Sequence, residues 1–231
     1  MSADHQSRSF LFDTHVHTSE VSACGHIEGR DLARQYKDAG YDGIVITDHF
    51  TSRLPKLFRC RSWADCVESY LSGYREAVDE GRNIGLNVLW GCEITFDSGP
   101  AGDFLTYGAD EEFLLSNPDI LSMDLFEFRD LIEGNDFLIY QAHPFRTGHV
   151  LAPPELLDGI EVINGNPRHF NDAEKAHKAA ALHGLALLAG SDAHQHQDVG
   201  RAGIKLPRNP QSMKDFVAML RNGETENIVF E

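Results

Sequence analysis

Long apolar runs are missing: nothing in the 231 residues approaches the length that spans a bilayer, so no membrane association is expected. The first ten residues, MSADHQSRSF, lack the apolar core of a signal peptide, which predicts a cytoplasmic protein. Positive charge is scarce, with 20 Lys and Arg against 36 Asp and Glu and a formal charge of −16. Such an acidic surface repels phosphate backbones and argues against bulk nucleic-acid binding. Cysteine is scarce too. Cys24, Cys60, Cys66 and Cys92 form no CxxC pair, which excludes a zinc ribbon or thioredoxin-like motif and predicts free thiols in a reducing compartment. No low-complexity segment, repeat or linker-like shift divides the chain. The remaining composition is ordinary, 42% hydrophobic and 24% charged. It suits a single domain over 1–231, with residues 1–9 loosely ordered.

Short apolar runs alternate with helical patterns. Strands are expected at 10–12, 43–47 (GIVIT), 87–94, 137–143, 159–164 (GIEVIN) and 185–191, with 103–108 pairing with or following the third long run. Helices are expected at 29–40, 64–81, 125–135, 171–184 with Asn171 as N-cap, and 211–223. This alternation predicts parallel strands in an α/β fold.

Chemistry-bearing residues gather where the strands end. The stretch FDTHVHTSE places Asp13, His15 and His17 at every second position, so His15 and His17 share one face. GIVIT leads into Asp48 and His49, NVLWGC into Glu93, FLIYQA into His143, GIEVIN onto Asn164, and LALLAGS into Asp192 and His194. The C-terminal ends of parallel barrel strands meet at one face, where active sites are built. A His, Asp and Glu set without cysteine suits Zn²⁺, Mn²⁺ or Fe²⁺. There are more candidates than one tetrahedral ion needs. Two or three ions would use them, with Glu93 or Asp192 as bridge. His5 falls in the loose terminus, His177 and His183 on a helix, and His149, His169 and His196 in loops where a role is optional.

The ordered segments DTHVHT, ITDH, GCEI, AHP and GSDAH, from residue 13 to 194, resemble the polymerase and histidinol phosphatase (PHP) family. The resemblance implies a distorted TIM-like (β/α)7 barrel, up to three metal ions and phosphoester hydrolysis. It implies His15, His17, Glu93 and Asp192 around one ion, His143 with Glu93 on a second, and His49 with His194 on a third. Two positions depart. Asp103 stands where the family often has a histidine, and a carboxylate there can still bind metal. After HxH, the nearest replacement for another family ligand is Glu20, with His26 as runner-up. A Glu20 ligand would tilt the site toward Mn²⁺ or Fe²⁺. Asp13 and Asp48 read as orienters of the ligand histidines.

Close divalent ions supply what phosphoester hydrolysis needs. Arg146, Arg168 and Arg201 follow strand ends and could grip a phosphate, while Arg53, Lys56, Arg59 and Arg61 read as a solvated basic loop. His194 or Asp192 could protonate the leaving group. The expected function is therefore a metal-dependent phosphoesterase acting on a small phosphorylated substrate. An amidohydrolase is the first alternative, although no lysine lies at a predicted strand end. A non-catalytic metal-binding regulator is the second.

Overall fold

The computed structural model describes residues 8–229. The expectation for residues 1–7, including His5, therefore lies outside the described residues. Arg8, just inside, donates to Asp42 at 2.6 Å.

One sheet runs β11 (Glu226–Val229), β10 (Ala202–Leu206), β1 (Phe10–Val16), β2 (Gly43–Ile46), β4 (Asn87–Trp90). The other runs β3 (His49–Phe50), β5 (Cys92–Thr95), β6 (Asp103–Tyr107), β7 (Leu138–Gln141), β8 (Gly159–Asn164), β9 (Ala186–Gly190). β3 resumes β2 after two residues and β5 resumes β4 after Gly91, so the sheets meet there. A Cβ on Gly91 would sit 2.8 Å from Thr106 O, so only glycine lets β6 cross so near.

The expected seven-unit barrel is corrected to a mixed α/β arrangement. No closed ring of paired strands forms among the described residues. Between β1 and the segment just past β9 the backbone makes one isolated bridge, Val16 to Ala193. Four strand pairs are antiparallel: β1/β10, β10/β11, β5/β6 and β6/β7. Connection length explains part of this. Residues 96–102 between β5 and β6 are too few for a crossover helix, which a parallel pair requires.

The helices cover the sheets. α1 (Gly29–Asp38) packs on α4 (Ser72–Ile84), and both cover the face of β1 and β2 around Ile44, Ile46 and Leu32. The single helix expected over 64–81 is broken into α3 (Trp63–Tyr70) and α4 at Leu71. There Ser72 Oγ donates to Ser69 O at 2.7 Å, a local bond that competes with the helix ladder. Elements not expected include α2 (Leu54–Leu57), α5 (Glu111–Ser116) and the strands β10 and β11, the last at the sheet edge. α6 (Leu125–Leu131) starts on a capping box between Asp124 and Glu127. α7 (Ala173–His183) is capped by Asp172, whose side chain accepts from Lys175 N, and not by the expected Asn171. α8 (Met213–Arg221) carries Phe216 against Phe12 and Tyr107, plugging the sheets at the end opposite the histidines.

The expectation of four free thiols is also corrected. Cys60 and Cys66 form a disulfide with Cα atoms 5.3 Å apart, while Cys24 and Cys92 remain free. The turn after α2 brings Cys60 back onto the first turn of α3, a closure that six-residue spacing alone does not announce. No helix among the described residues is long and apolar enough to cross a membrane.

Candidate metal centre

β1 carries His15, and His17 follows one residue past its end, continuing the strand's alternation. Val16 points into the helix-covered core, and His15 and His17 point the other way, both fully buried. Their rings lie 5.0 Å apart. His15 also needs a small neighbour on β9: a Cβ on Gly190 would come within 2.5 Å of the His15 Cβ.

Glu93, at the second position of β5, stands at the centre. Its Oε1 lies 3.3 Å from His15 Nε2 and 3.2 Å from His143 Nε2. Its Oε2 lies 2.7 Å from His49 Nδ1 and 3.5 Å from His17 Nε2. Asp192 Oδ1 reaches His15 Nε2 and His17 Nε2 at 3.5 Å each and His194 Nδ1 at 3.3 Å. His194 stacks on His17 with centroids 4.2 Å apart. His143 (φ 30°) and Asp192 (φ 51°) both sit in the left-handed region just past their strands. That conformation is costly for a side-chain-bearing residue, and here it turns each group into the cluster.

Four triplets have ligand atoms within 4.8 Å of one another: His17, His49, His194; His15, His17, Glu93; His15, His143, Asp192; and Asp103, His143, His149. The structure thus brings together His15, His17, His49, Glu93, Asp103, His143, Asp192 and His194. Glu20 is not brought in: both its carboxylate oxygens accept from Gly29 N–H at the start of α1 (2.9 and 3.1 Å). His26, its runner-up, lies on the wall of the cleft of about 350 Å³ over the cluster. Asp103 accepts from Thr95 Oγ1 at 2.6 Å and stands 3.9 Å from His143 Nε2.

The two expected orienters act on the backbone and loops more than on the rings. Asp13 accepts from the backbone N–H of His15 and Ser191 and from Tyr36 OH. Asp48 accepts from Thr18 N, Thr18 Oγ1 and Ser22 Oγ, each at 2.7 Å, and Ser22 Oγ is 3.2 Å from His17 Nδ1. Burial pushes both carboxyls up to about 6, against the pull of these bonds.

Sequence reasoning missed Glu161. It is fully buried on β8, with Oε1 3.0 Å from His15 Nδ1 and Oε2 accepting from His143 N and Asn164 Nδ2. A carboxylate accepts here, so His15 Nδ1 carries a hydrogen and Nε2 faces Glu93 and Asp192. The signal was a lone charge amid the apolar run GIEVIN.

The cluster is short of positive charge. Burial drives His15 toward neutrality, but Glu161, Asp192 and Glu93 outweigh it and hold its pKa well above normal. For His17, burial, His194 and His49 lower the pKa well below normal. Glu93 and Asp192 are held below the carboxylate range. Burial is the largest single influence and opposes this, but the histidines together outweigh it, led by His15 and joined by His49 at Glu93 and by His17 at Asp192. His15 Nε2 and His17 Nε2 are buried and have no hydrogen-bond partner among the described residues. Imidazole lone pairs aimed at carboxylate oxygens without bonding them are what a shared divalent cation satisfies, and the donors suit Zn²⁺, Mn²⁺ or Fe²⁺. The residues fit the metal.

The mouth of the cleft carries the remaining groups. Arg146 and Arg168 line it. Arg146 Nη2 is 2.6 Å from His169 Nε2. Arg168 donates through both Nη atoms to Asp198 at 2.6 and 2.7 Å. Arg201 is turned to a loop, with Nε donating to Gly165 O, and does not line the cleft. Arg53, Lys56, Arg59 and Arg61 are exposed, as expected of a solvated loop. Cys24 lines the cleft with Sγ 3.2 Å from His49 Nε2. Burial raises its thiol pKa, but contacts with His194 and His49 pull it down to about 6.

Asp198, also missed, is buried and accepts from His194 N and Gln195 N as well as Arg168. Burial raises its pKa, but these bonds outweigh it and hold it below the usual value. A carboxylate depressed in this way adds stability above its unfolded pKa and loses it as pH falls through the folded one. Asp198→Asn is expected to cost about 2 kcal/mol at pH 7. Thermal unfolding at several pH values checks this: the gap in Tm should close on acidification below about pH 4.

A sequence model of the PHP domain matches residues 13–143, and another, described as PHP-associated, matches 171–225. Uncharacterized protein MJ0417 of Methanocaldococcus jannaschii is 31% identical over 162 residues, 62% of this chain and 64% of that protein. A two-domain Bacteroides vulgatus protein containing a predicted PHP-like metal-dependent phosphoesterase superposes with TM-score 0.69 at 18% identity, over 96% of this chain and 65% of that one. PsfC from Pseudomonas syringae gives TM-score 0.67 at 18% identity, over 96% and 92%. An amidohydrolase from Chromobacterium violaceum, solved with sulfate and no metal, gives 0.59 at 16%, over 90% and 96%. The chain spans less than two thirds of the length of MJ0417 and of the Bacteroides protein. At such identities the solved structures speak to the fold alone. The PHP-domain match covers more than half the chain, from Asp13 on β1 to His143 beyond β7, and on that ground the chain belongs to the PHP domain family.

Proposed function

We propose that this protein is a metal-dependent phosphoesterase hydrolysing a small phosphorylated substrate. The observation that carries the reading is a cleft whose floor is buried imidazoles and carboxylates and whose wall bears two arginines, Arg146 and Arg168. We assign His15, His17, Glu93 and Asp192 to one cation, His143 with Glu93 to a second, and His49 with His194 to a third, with Asp103 beside His143. Divalent cations, when held there, activate water and neutralise charge on the reacting group. Glu161 fixes His15, Asp48 with Ser22 steadies His17, and Asp198 holds the backbone of His194. Arg146 and Arg168 bind phosphate oxygens at the mouth, Arg168 kept in place by Asp198. Asp192 stays ionised, so His194 is the better leaving-group acid whenever the third position holds no cation. Its Nδ1 lies 2.9 Å from Asp192 O, so the proton would leave from Nε2. Acidity of the whole chain favours a small substrate over a polynucleotide.

A second reading, hydrolysis of a C–N bond, is favoured by the amidohydrolase among the similar structures. Against it, no lysine lines the cleft. A panel of phosphomonoesters, phosphodiesters and amides, with Mn²⁺, Zn²⁺ or Fe²⁺ added, decides. Phosphate release abolished by chelator is expected. Amide cleavage without phosphate release would replace the first reading with the second, and no turnover despite bound metal would leave a regulator.

A further inference from the structure

The third cation position lacks a donor that this chain supplies in an unexpected way. Glu20 is committed to Gly29 N–H, so no carboxylate from the loop after β1 reaches His49 and His194. Cys24 does reach them: its Sγ is 3.2 Å from His49 Nε2, and it shares the cleft wall with His194. The loop places it firmly. On one side Ser22 Oγ donates to Asp48 and accepts from His49 N; on the other His26 N donates to His194 O at 2.8 Å. A second observation points to a cation beside these rings. His17 Nε2, placed above with the first cation, is fully buried without a hydrogen-bond partner among the described residues, and His17, His49 and His194 have ring nitrogens within 4.8 Å of one another, so the first and third positions adjoin. Tetrahedral zinc with Zn–S of about 2.3 Å and Zn–N of about 2.0 Å holds sulfur and nitrogen roughly 3.5 Å apart, a few tenths of an ångström from the spacing present.

We propose that Cys24 is a sulfur ligand of the cation held by His49 and His194, making this one position selective for a soft ion such as Zn²⁺ over Mn²⁺. The proposal rests on the metal-centre reading above and deepens it. The other positions keep imidazole and carboxylate donors only, so the centre would be chemically asymmetric.

The protein with its Cys60–Cys66 disulfide intact, loaded with Co²⁺ without reductant and under anaerobic conditions, tests this by absorbance and by metal content. The wild type should show the near-ultraviolet thiolate-to-cobalt charge-transfer band. Cys24→Ser should lose that band and about one equivalent of tightly bound cobalt while keeping the rest. Cys92→Ser, which alters a thiol buried in the apolar core, should keep it. Cobalt bound by the wild type without the band, or a band that survives in Cys24→Ser, overturns the Cys24 assignment and leaves the metal centre standing. Failure of the wild type to bind cobalt or zinc at all overturns both.

Discussion

Glu93→Gln is expected to lower kcat/KM on a phosphoester by roughly a thousandfold, about 4 kcal/mol of lost transition-state stabilisation. The size follows from position. Among the described residues no other side chain stands within 3.5 Å of four ring nitrogens, those of His15, His17, His49 and His143. Glutamine keeps the length but removes the charge and offers a donor where only acceptors are wanted. An amide is a poorer ligand for a divalent cation than a carboxylate, so metal content should fall along with turnover. The fold should survive, because residue 93 is held by backbone pairing to His49 and Leu105 on either side. Metal analysis, circular dichroism and steady-state kinetics check the three parts. Retention of turnover within tenfold would show that the cluster is not where the chemistry happens.

Glu161→Gln should produce the second largest effect, of a different kind. Glu161 is a positioning residue, with one oxygen on His15 Nδ1 and the other on His143 N–H and Asn164 Nδ2. A glutamine can accept from only one side and must turn its amide N–H groups toward donors on the other. The rings of His15 and His143 then lose their fixed aim. Substitution of such partners weakens metal binding by about 10–100-fold. Activity titrated against added metal should shift by that factor, and saturating metal should restore most of kcat. His15→Ala is the contrast: metal should not rescue it, since the ligand itself is gone. If excess metal left Glu161→Gln dead, the residue would be touching substrate, and its positioning role would be wrong.

Much of the centre was legible before folding. His15 and His17 share a face because strand alternation is a property of adjacent residues. His49, Glu93, His143, Asp192 and His194 were found because each follows an apolar run, and the ends of such runs gather in α/β folds. Glu161 escaped because it sits inside a run, where a charge carries no label of its purpose. Glu20 was chosen for closeness in sequence to His17, and its carboxylate instead meets an unpaired N–H at the start of α1. The barrel was expected from the family resemblance and the parallel strands from alternation, but alternation says nothing of direction, and the short β5–β6 connection forces an antiparallel turn.

The division has one physical cause. Periodicity, capping and the residue types at strand ends depend on neighbours within a few positions, and these placed the candidate ligand histidines and carboxylates from order along the chain. Contacts between Glu161 and His15, Cys24 and His49, or Arg168 and Asp198 join residues 146, 25 and 30 apart. So does the path that leaves two sheets unclosed. Such contacts exist only once packing has chosen which surfaces meet, and it was packing that settled who orients each ligand, which sulfur enters the cleft and which arginines face it.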